Sequence, residues 1–389
     1  MNSIKKTDHF YLIDGSGYIF RAYYALPPLS RKSDGLPTGA VNGFCSMLFK
    51  LLEEARSDES NFKPTHFAVI FDSDKKNFRN DIYSEYKANR SEAPEDLIPQ
   101  FEYIRKSVKA FNLPSIELLN YEADDLIATY AKKIIEAGAK VTVISSDKDL
   151  MQLVSDNIRL YDPMKSKVLG EKEVVEKFGV KPNQVIDVQS LAGDSSDNIP
   201  GVPGIGIKTA SELINKYKTL DVLLKKAEEI PQKKRREKLL ANKDKALLSR
   251  KLVTLKDDVP VTDDLNSFIL KDIEKEKLYD FLREMEFNKL LSRAIGFYGE
   301  TGNKKIKSLN PKIQSHPINV KGYESITDEK ALDKWIKILN EQSVISVDTE
   351  TSSLNPLEAD LVGISFSYAP NKACYIPLSH KNIKGLKKE

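Results

Sequence analysis

Cysteine is nearly missing. The 389-residue chain holds only Cys45 and Cys374, far apart and outside any metal-ligand spacing, which excludes a disulfide framework or a zinc site and fits a reducing compartment. Long hydrophobic runs are missing too. The N-terminal MNSIKKTDHFYLIDGSG has no stretch apolar enough for a signal peptide, and no later run could span a bilayer, so a cytoplasmic protein without a membrane partner is expected. Charge of one sign is also scarce in excess: 60 Lys+Arg against 57 Asp+Glu leave +3, a balance that can hide segregated patches. What is present, 40% hydrophobic and 30% charged residues, describes a globular chain long enough for more than one domain and a linker.

Acidic residues recur where apolar runs stop. His9 to Ile13 reads as a buried strand ending in Asp14, and Thr65 to Phe71 as another ending in Asp72. Ala139 to Ile144 is a third, followed by Ser145, Ser146, Asp147, Lys148 and Asp149, and Ile158 to Tyr161 a fourth. Helical periodicity runs over Thr38–Glu54 and Glu95–Phe111. Another helix opens at Tyr121-Glu122-Ala123-Asp124-Asp125 and runs to about Ala137. First-turn acids suit the helix dipole, but this many repel one another and favour a bound cation. Strands alternating with helices predict an α/β fold with a mostly parallel sheet flanked by helices, and ligands bind beyond the carboxyl ends of such strands. The acids thus gather on one rim. Without His or Cys among them, an all-oxygen site selects a hard divalent cation, Mg²⁺ or Mn²⁺. A pair of ions roughly 3.5–4 Å apart would clamp a phosphodiester for in-line attack.

The stretch Leu191–Ala210, LAGDSSDNIPGVPGIGIKTA, places Asp194 and Asp197 three apart ahead of a Gly/Pro-rich hairpin carrying Gly201, Gly204 and Gly206, then Lys208 at a helix start. Acids three apart can share one metal. Bare glycines and helix-start amides let a phosphate approach. The alternative is a polar turn between helices. Residues 73–95 are poor in apolar residues and interleave Arg79, Lys87 and Arg90 with Tyr86, a mixture that suits phosphates and stacked bases or a solvated loop. Lys225 to Lys256 is basic and reads equally as a duplex track or an exposed helix face, and Ile273 to Leu291 as closing helices. Residues 300–320 read as a linker. From Ser325 a second domain begins with a helix over Asp328–Leu339 and a strand, Ser343–Val347, that runs into Asp348 and Glu350. Two further strands, Leu361–Tyr368 and Ala373–Ile376, follow.

Residues 1 to about 292 resemble the 5′-nuclease (flap endonuclease-like) domain of bacterial DNA polymerase I. The match runs through LIDGS at 12–16, FRAYYAL at 20–26, VIFD at 69–72, FRN…YKANR at 78–90, YEADD at 121–125, SSDKDL at 145–150 and GDSSDNIPGVPGIGIKTA at 193–210. Residues 325–389 resemble the start of that polymerase's 3′–5′ exonuclease domain through VISVDTETSSLNP at 344–356. The resemblance implies a PIN-like nuclease over 1–292, with a helical arch at 73–95 and a helix–hairpin–helix region at 182–260. A linker at 293–324 and an incomplete RNase H-like domain at 325–389 would follow. It implies Asp14, Asp72, Glu122 and Asp124 at a first metal and Asp147, Asp149 and Asp194 at a second. Asp125 and Asp197 would lie in an outer shell or at the second site. Lys87, Arg90 and Tyr86 would stand on the arch, Arg21 at the scissile phosphate, and Arg79 among the DNA contacts. Gly201, Gly204, Gly206 and Lys208 would grip the duplex, with K⁺ as a further ligand there. Asp348 and Glu350 match only the first proofreading motif.

The expected activity is 5′–3′ exonuclease and 5′-flap endonuclease. The expected substrate is DNA with a flap, nick or RNA-primer end, handled by a monomer in the nucleoid of a bacterial cytoplasm. Neither 3′–5′ exonuclease nor polymerase activity is expected of this chain. The rival expectations are a non-catalytic DNA-junction binder and a small-molecule phosphohydrolase, which would have no use for the hairpin.

Overall fold

The computed structural model describes residues 4–56, 63–73, 76–301, 322–342, 345–353, 358–369 and 371–380. The chain divides into two units, Met1–Thr301 and Gly302–Glu389, each described here by itself. In the first, β1 (His9–Asp14), β2 (His66–Ile70), β3 (Ser115–Ile116), β4 (Lys140–Ile144), β5 (Ile158–Asp162) and β6 (Lys167–Leu169) form a six-stranded sheet in the order β3-β2-β1-β4-β5-β6. Neighbours run parallel except β5 and β6. The short β3 and the antiparallel β6 have too few apolar residues to show as strands in the sequence.

Side-chain alternation along the strands builds two cores. Phe10 and Leu12 of β1 join Ala68, Ile70, Val141 and Val143 on one face, against Leu126, Ile127 and Tyr130 of the helix Ala123–Glu136. Ile13, Phe67, Val69 and Ile144 point to the other face. There they meet Phe44 and Leu48 of the helix Gly39–Arg56 and Ile104 and Val108 of Gln100–Ala110, with Leu278 and Leu282 of Lys275–Glu284. Helices Val185–Ala192, Ile207–Tyr217, Leu220–Lys225, Lys233–Ala241 and Lys243–Val253 then form the predicted helical region.

Register explains why the acids meet. Asp14 pairs with Ile70 and Ile13 with Ile144, so β1, β2 and β4 stop at one level. Asp14, Asp72 and Ser145 emerge there side by side. The chain runs from β1 to β2 and β3 on one side and crosses from β3 back to β4 on the other side of β1, the switch point at which parallel sheets open a crevice.

Three boundaries differ from the sequence expectation. The last described helix of the first unit runs Asn288–Tyr298 with Ala294 and Tyr298 buried, so residues 293–298 are packed structure and not linker; residues 302–321 lie outside the described residues. Among the described residues of 73–95 the structure has the helix Phe78–Ile82 and then turns, a shorter helical stretch than the arch that the resemblance implies; sparse apolar residues and Pro94 give a longer helix nothing to pack. In the second unit β7 (Tyr323–Ser325), β8 (Ser346–Thr351), β9 (Leu361–Ala369) and β10 (Lys372–Pro377) are ordered β7-β10-β9-β8. The helix Glu329–Asn340 puts Trp335 into a small core with Ile326, Cys374 and Ile376. Asp348 and Glu350 lie within the exposed edge strand β8, not at the end of a buried strand. Among the described residues no helix is long and apolar enough to cross a membrane.

One turn fixes where the acidic loop leaves the helical region. Gly193 has φ +70° and ψ −176°, a conformation nearly confined to glycine. A Cβ there would stand 2.5 Å from the Ile199 carbonyl oxygen. Gly193→Ala is therefore expected to lower unfolding free energy by about 2 kcal/mol or more. The readout is the urea midpoint; an unchanged midpoint would show that the turn relaxes freely.

Candidate active site

Asp14 caps the helix Gly15–Ala25. Its Oδ1 accepts from the Gly17 amide at 2.8 Å and its Oδ2 from the Ser145 hydroxyl at 2.8 Å. Burial, with the charges of Asp147 and Asp72, nevertheless pushes its carboxyl up to about 6. Asp72 accepts from the Ala123 amide at 2.7 Å, and its own amide donates to Ser16 Oγ at 2.8 Å. This ties the end of β2 to the start of the acidic helix. Glu122 is the residue before that helix, and Asp124 sits in its first turn. Burial first, and then Asp147, Asp14 and Glu122, hold the Asp124 carboxyl well above the usual range. Asp147 accepts from the Asp149 amide at 2.8 Å. Burial and the neighbouring Asp147 charge raise Asp149 to about 7. Asp14, Asp72, Glu122, Asp124, Asp147, Asp149 and Asp197 line one cleft of about 120 Å³.

Basic side chains reach into this cleft. Lys87 Nζ pairs with Glu122 Oε1 and lies 3.7 Å from Asp197 Oδ2, while Arg90 pairs with Asp197 Oδ1. Burial disfavours the Lys87 ammonium, but Glu122 and Asp197 outweigh it and raise its affinity for the proton. The turn is also stitched through its backbone. The Lys87 amide donates to the Asp197 carbonyl at 3.0 Å, Asn89 Nδ2 to the Ser195 carbonyl at 2.7 Å, and Asn198 Nδ2 to the Glu85 carbonyl at 2.7 Å. Asp194 stands beside the cleft and is held by Lys148 Nζ and by the Ser196 amide and hydroxyl. Burial opposes its ionisation, but these contacts keep its carboxyl below the usual range. Arg21 lies in an adjoining cavity with Asp14 and Asp147 and donates to Ser146 Oγ at 2.6 Å and Asp162 Oδ2 at 3.1 Å.

Several expected residues take other places. Asp125 is fully buried, and its carboxylate receives Arg79 through both oxygens, at 2.7 Å each. It is therefore closed to a metal. Arg79 is 1% exposed and Tyr86 4%, so neither presents a surface to DNA; Tyr86 donates instead to Glu122 Oε2 at 3.0 Å. Gly201 is buried in the Gly193 turn, where its amide donates to Ser249 Oγ at 2.9 Å. Gly204, Gly206 and Lys208 are exposed. Gly206 precedes the helix Ile207–Tyr217 without a side-chain cap, so its first amides stay open, as an anion requires. Unforeseen were Ser145, Lys148 and Gln189. Gln189 is buried and donates Nε2 to Asp149 Oδ1. Its helix position looks like any polar residue in sequence, whereas Lys148 lies visibly between two acids.

Among the described residues no three acidic, imidazole or thiol side chains stand close enough together to hold a metal ion as they are placed. The donor set still suits a hard ion. Every candidate ligand is a carboxylate oxygen, and burial with like-charged neighbours holds Asp14, Asp124 and Asp149 above the usual carboxylate range, a penalty on ionisation that a bound cation would relieve. An ion that keeps several of its waters does not need a closed protein cage.

Two family models cover this unit: "5'-3' exonuclease, N-terminal resolvase-like domain" over residues 9–179 and "5'-3' exonuclease, C-terminal SAM fold" over 180–276. A 5′-3′ exonuclease of Aquifex aeolicus is 38% identical over 76% of this chain and 98% of its own length. The chain belongs to the 5′–3′ exonuclease family. A third model, a 3′-5′ exonuclease, matches residues 323–388. DNA polymerase I of Rhizobium leguminosarum is 44% identical over 98% of this chain, which spans 44% of that relative's length. Among solved structures, the bacteriophage T5 D15 flap endonuclease in a complex with DNA and metal ions has TM-score 0.53 at 22% identity. It covers 72% of this chain and 99% of its own, and so supports the family's fold.

The raised acids of this cleft carry a pH signature. The folded pKa of Asp149 lies above its unfolded value, so its penalty is absent at low pH, grows from about pH 4 and is complete above about pH 7. Without metal, Asp149→Asn is expected to melt a few degrees above the wild type at pH 8, with the gap closing toward pH 4. Excess Mg²⁺ should reverse the order at pH 8. Scanning calorimetry across pH 4–8 checks both; a gap independent of pH would remove the repulsion argument.

Proposed function

We propose that this chain is a divalent-metal-dependent 5′–3′ exonuclease and 5′-flap endonuclease that hydrolyses DNA phosphodiesters. The observation that carries the proposal is the cleft at the strand ends, where acids from distant parts of the chain converge within reach of an uncapped hairpin helix. Asp14, Asp72, Glu122 and Asp124 would hold one Mg²⁺ or Mn²⁺, and Asp147, Asp149 and Asp194 a second, with Asp197 beside them. A bound ion would supply Lewis acidity and a water acidic enough to ionise near neutral pH. Lys87 and Arg90, at the rim, would neutralise the phosphate to be cut, and Arg21 a neighbouring one. Gly204, Gly206 and Lys208 would take a backbone phosphate of the duplex. K⁺ at the hairpin fits less well, because the Lys238 ammonium already lies against Gly204, where a second cation meets like charge. DNA with a 5′ flap, nick or RNA-primer end is the substrate, 5′-phosphate and 3′-hydroxyl ends are the products, and primer removal and excision repair in the bacterial nucleoid are the setting. The chain acts as a monomer and forms the N-terminal part of a DNA polymerase I. Hydrolysis is assigned to residues 4–301 alone.

One observation favours a second reading. Glu122, Asp194 and Asp197 are paired with Lys87, Lys148 and Arg90, as in a DNA-junction binder that has lost its chemistry. Labelled single-strand, nicked and 5′-flap substrates with Mg²⁺ separate the two, since a binder shifts the flap and leaves it intact.

Asp147→Asn is expected to lower flap cleavage by at least about a hundredfold, with binding in Ca²⁺ retained; full activity would refute the site. Lys87→Ala should lower cleavage and flatten its dependence on salt by about one phosphate contact. Rates equal to wild type at several ionic strengths would remove Lys87 from the phosphate.

A further inference from the structure

Arg79, expected among the DNA contacts, lies buried against the cleft within a dense polar network. Every guanidinium N–H has a partner. Nε donates to the Leu252 carbonyl at 2.8 Å, and Nη1 to Asp125 Oδ2 at 2.7 Å and Glu122 Oε2 at 3.3 Å. Nη2 donates to Asp125 Oδ1 at 2.7 Å and the Thr254 carbonyl at 3.2 Å. Asp125 is equally saturated, because Oδ1 also accepts from the Lys256 amide at 2.8 Å and Oδ2 from the Glu122 amide at 3.2 Å. The Phe78 ring lies 4.6 Å from the guanidinium carbon and the Tyr86 ring 6.0 Å.

A buried ion pair is weak evidence of stability, since its desolvation offsets most of the attraction. What this one does is geometric. A planar fork that accepts only one arrangement of partners joins three separate segments: the helix Phe78–Ile82, the start of the acidic helix, and the carbonyl end of the helix Lys243–Val253. On Glu122 the consequence is specific. Oε2 is occupied by Arg79 and Tyr86, and so Oε1 is the oxygen turned into the cleft, where Lys87 now meets it.

We propose that Arg79 is a positioning residue of the nuclease site: through Asp125 and Glu122 Oε2 it aims Glu122 Oε1 into the cleft and holds the Tyr86–Lys87 turn at the distance from it that hydrolysis needs. The proposal rests on the nuclease reading above. It predicts that losing the fork, without losing the charge, damages turnover and ion binding more than DNA binding or folding.

The test compares wild type, Arg79→Lys and Asp125→Asn as full chains. The readouts are kcat and KM on a 5′-flap substrate with Mg²⁺, Ca²⁺ affinity by calorimetry without DNA, and the melting temperature without metal. Arg79→Lys keeps the charge and loses the fork. Asp125→Asn keeps the shape and one acceptor oxygen, and remains informative if the lysine variant folds poorly. Expected for each is a fall in kcat of about 10–100-fold with a Ca²⁺ affinity lowered by a similar factor, while KM stays within about twofold. A lower melting temperature with unchanged kcat and unchanged Ca²⁺ affinity in the folded variants would make Arg79 a fold-holding residue only and overturn the proposal. If the wild type itself does not cleave, the nuclease reading falls, and the Ca²⁺ comparison still decides whether Arg79 orients Glu122.

Discussion

Like charges in a partly dry crevice repel one another far more than in water, and a chain left to itself would keep its carboxylates apart. Here the backbone removes that choice. Hydrogen-bond register stops β1, β2 and β4 at one level. The Ser16 hydroxyl and the Ala123 amide then bind Asp72 to the neighbouring helix starts, so that each acid is anchored by a segment whose apolar face is locked in one of the two cores. The burial that stabilises the sheet thus also supports the repulsion at its rim, and that stored repulsion is what makes the rim receptive to cations.

The cations already supplied by the chain show how strong this demand is. Lys87, Arg90 and Lys148 stand next to residues that pack in apolar clusters, Tyr86 with Ile199, Leu252 and Val253, and Leu150 and Met151 in the sheet core, and the charged end of each meets a carboxylate. The turn bearing Lys87 and Arg90 is placed by polar contacts to Ser195, Asp197 and Asn198, the same loop that leads into the hairpin. Cleft and hairpin are therefore neighbours through a shared loop whose exit is fixed by Gly193.

Much of this was legible in the sequence because the acids follow apolar runs. A strand's end is where periodicity stops, and Asp14, Asp72 and Asp147 sit at such stops. The glycines announced a tight turn, though not which of them would face outward: Gly201 turns inward against Gly193 while Gly206 stays open, a difference set by tertiary packing. Arg79 and Asp125 were misplaced for a related reason. Composition shows a basic residue among aromatics and an acid in a helix's first turn, but whether they meet each other or solvent depends on the helix ending at Val253, far along the chain. Gln189 gave no signal, since a polar residue on a helix looks the same whether it meets water or Asp149. The turns after Ile82 read as an arch only through likeness to relatives, and local composition does not support a helix there.

The pairing of Lys87, Arg90 and Lys148 with acids has a thermodynamic corollary. Each ion pair is a competition between an internal partner and an external one, and whatever neutralises the acid liberates the base. Occupancy of the carboxylates by a positive ligand and occupancy of the freed ammonium and guanidinium groups by a negative one must then reinforce each other by the same factor in either order. The resting protein is in this sense its own counter-ion reservoir, discharged only when both kinds of visitor arrive.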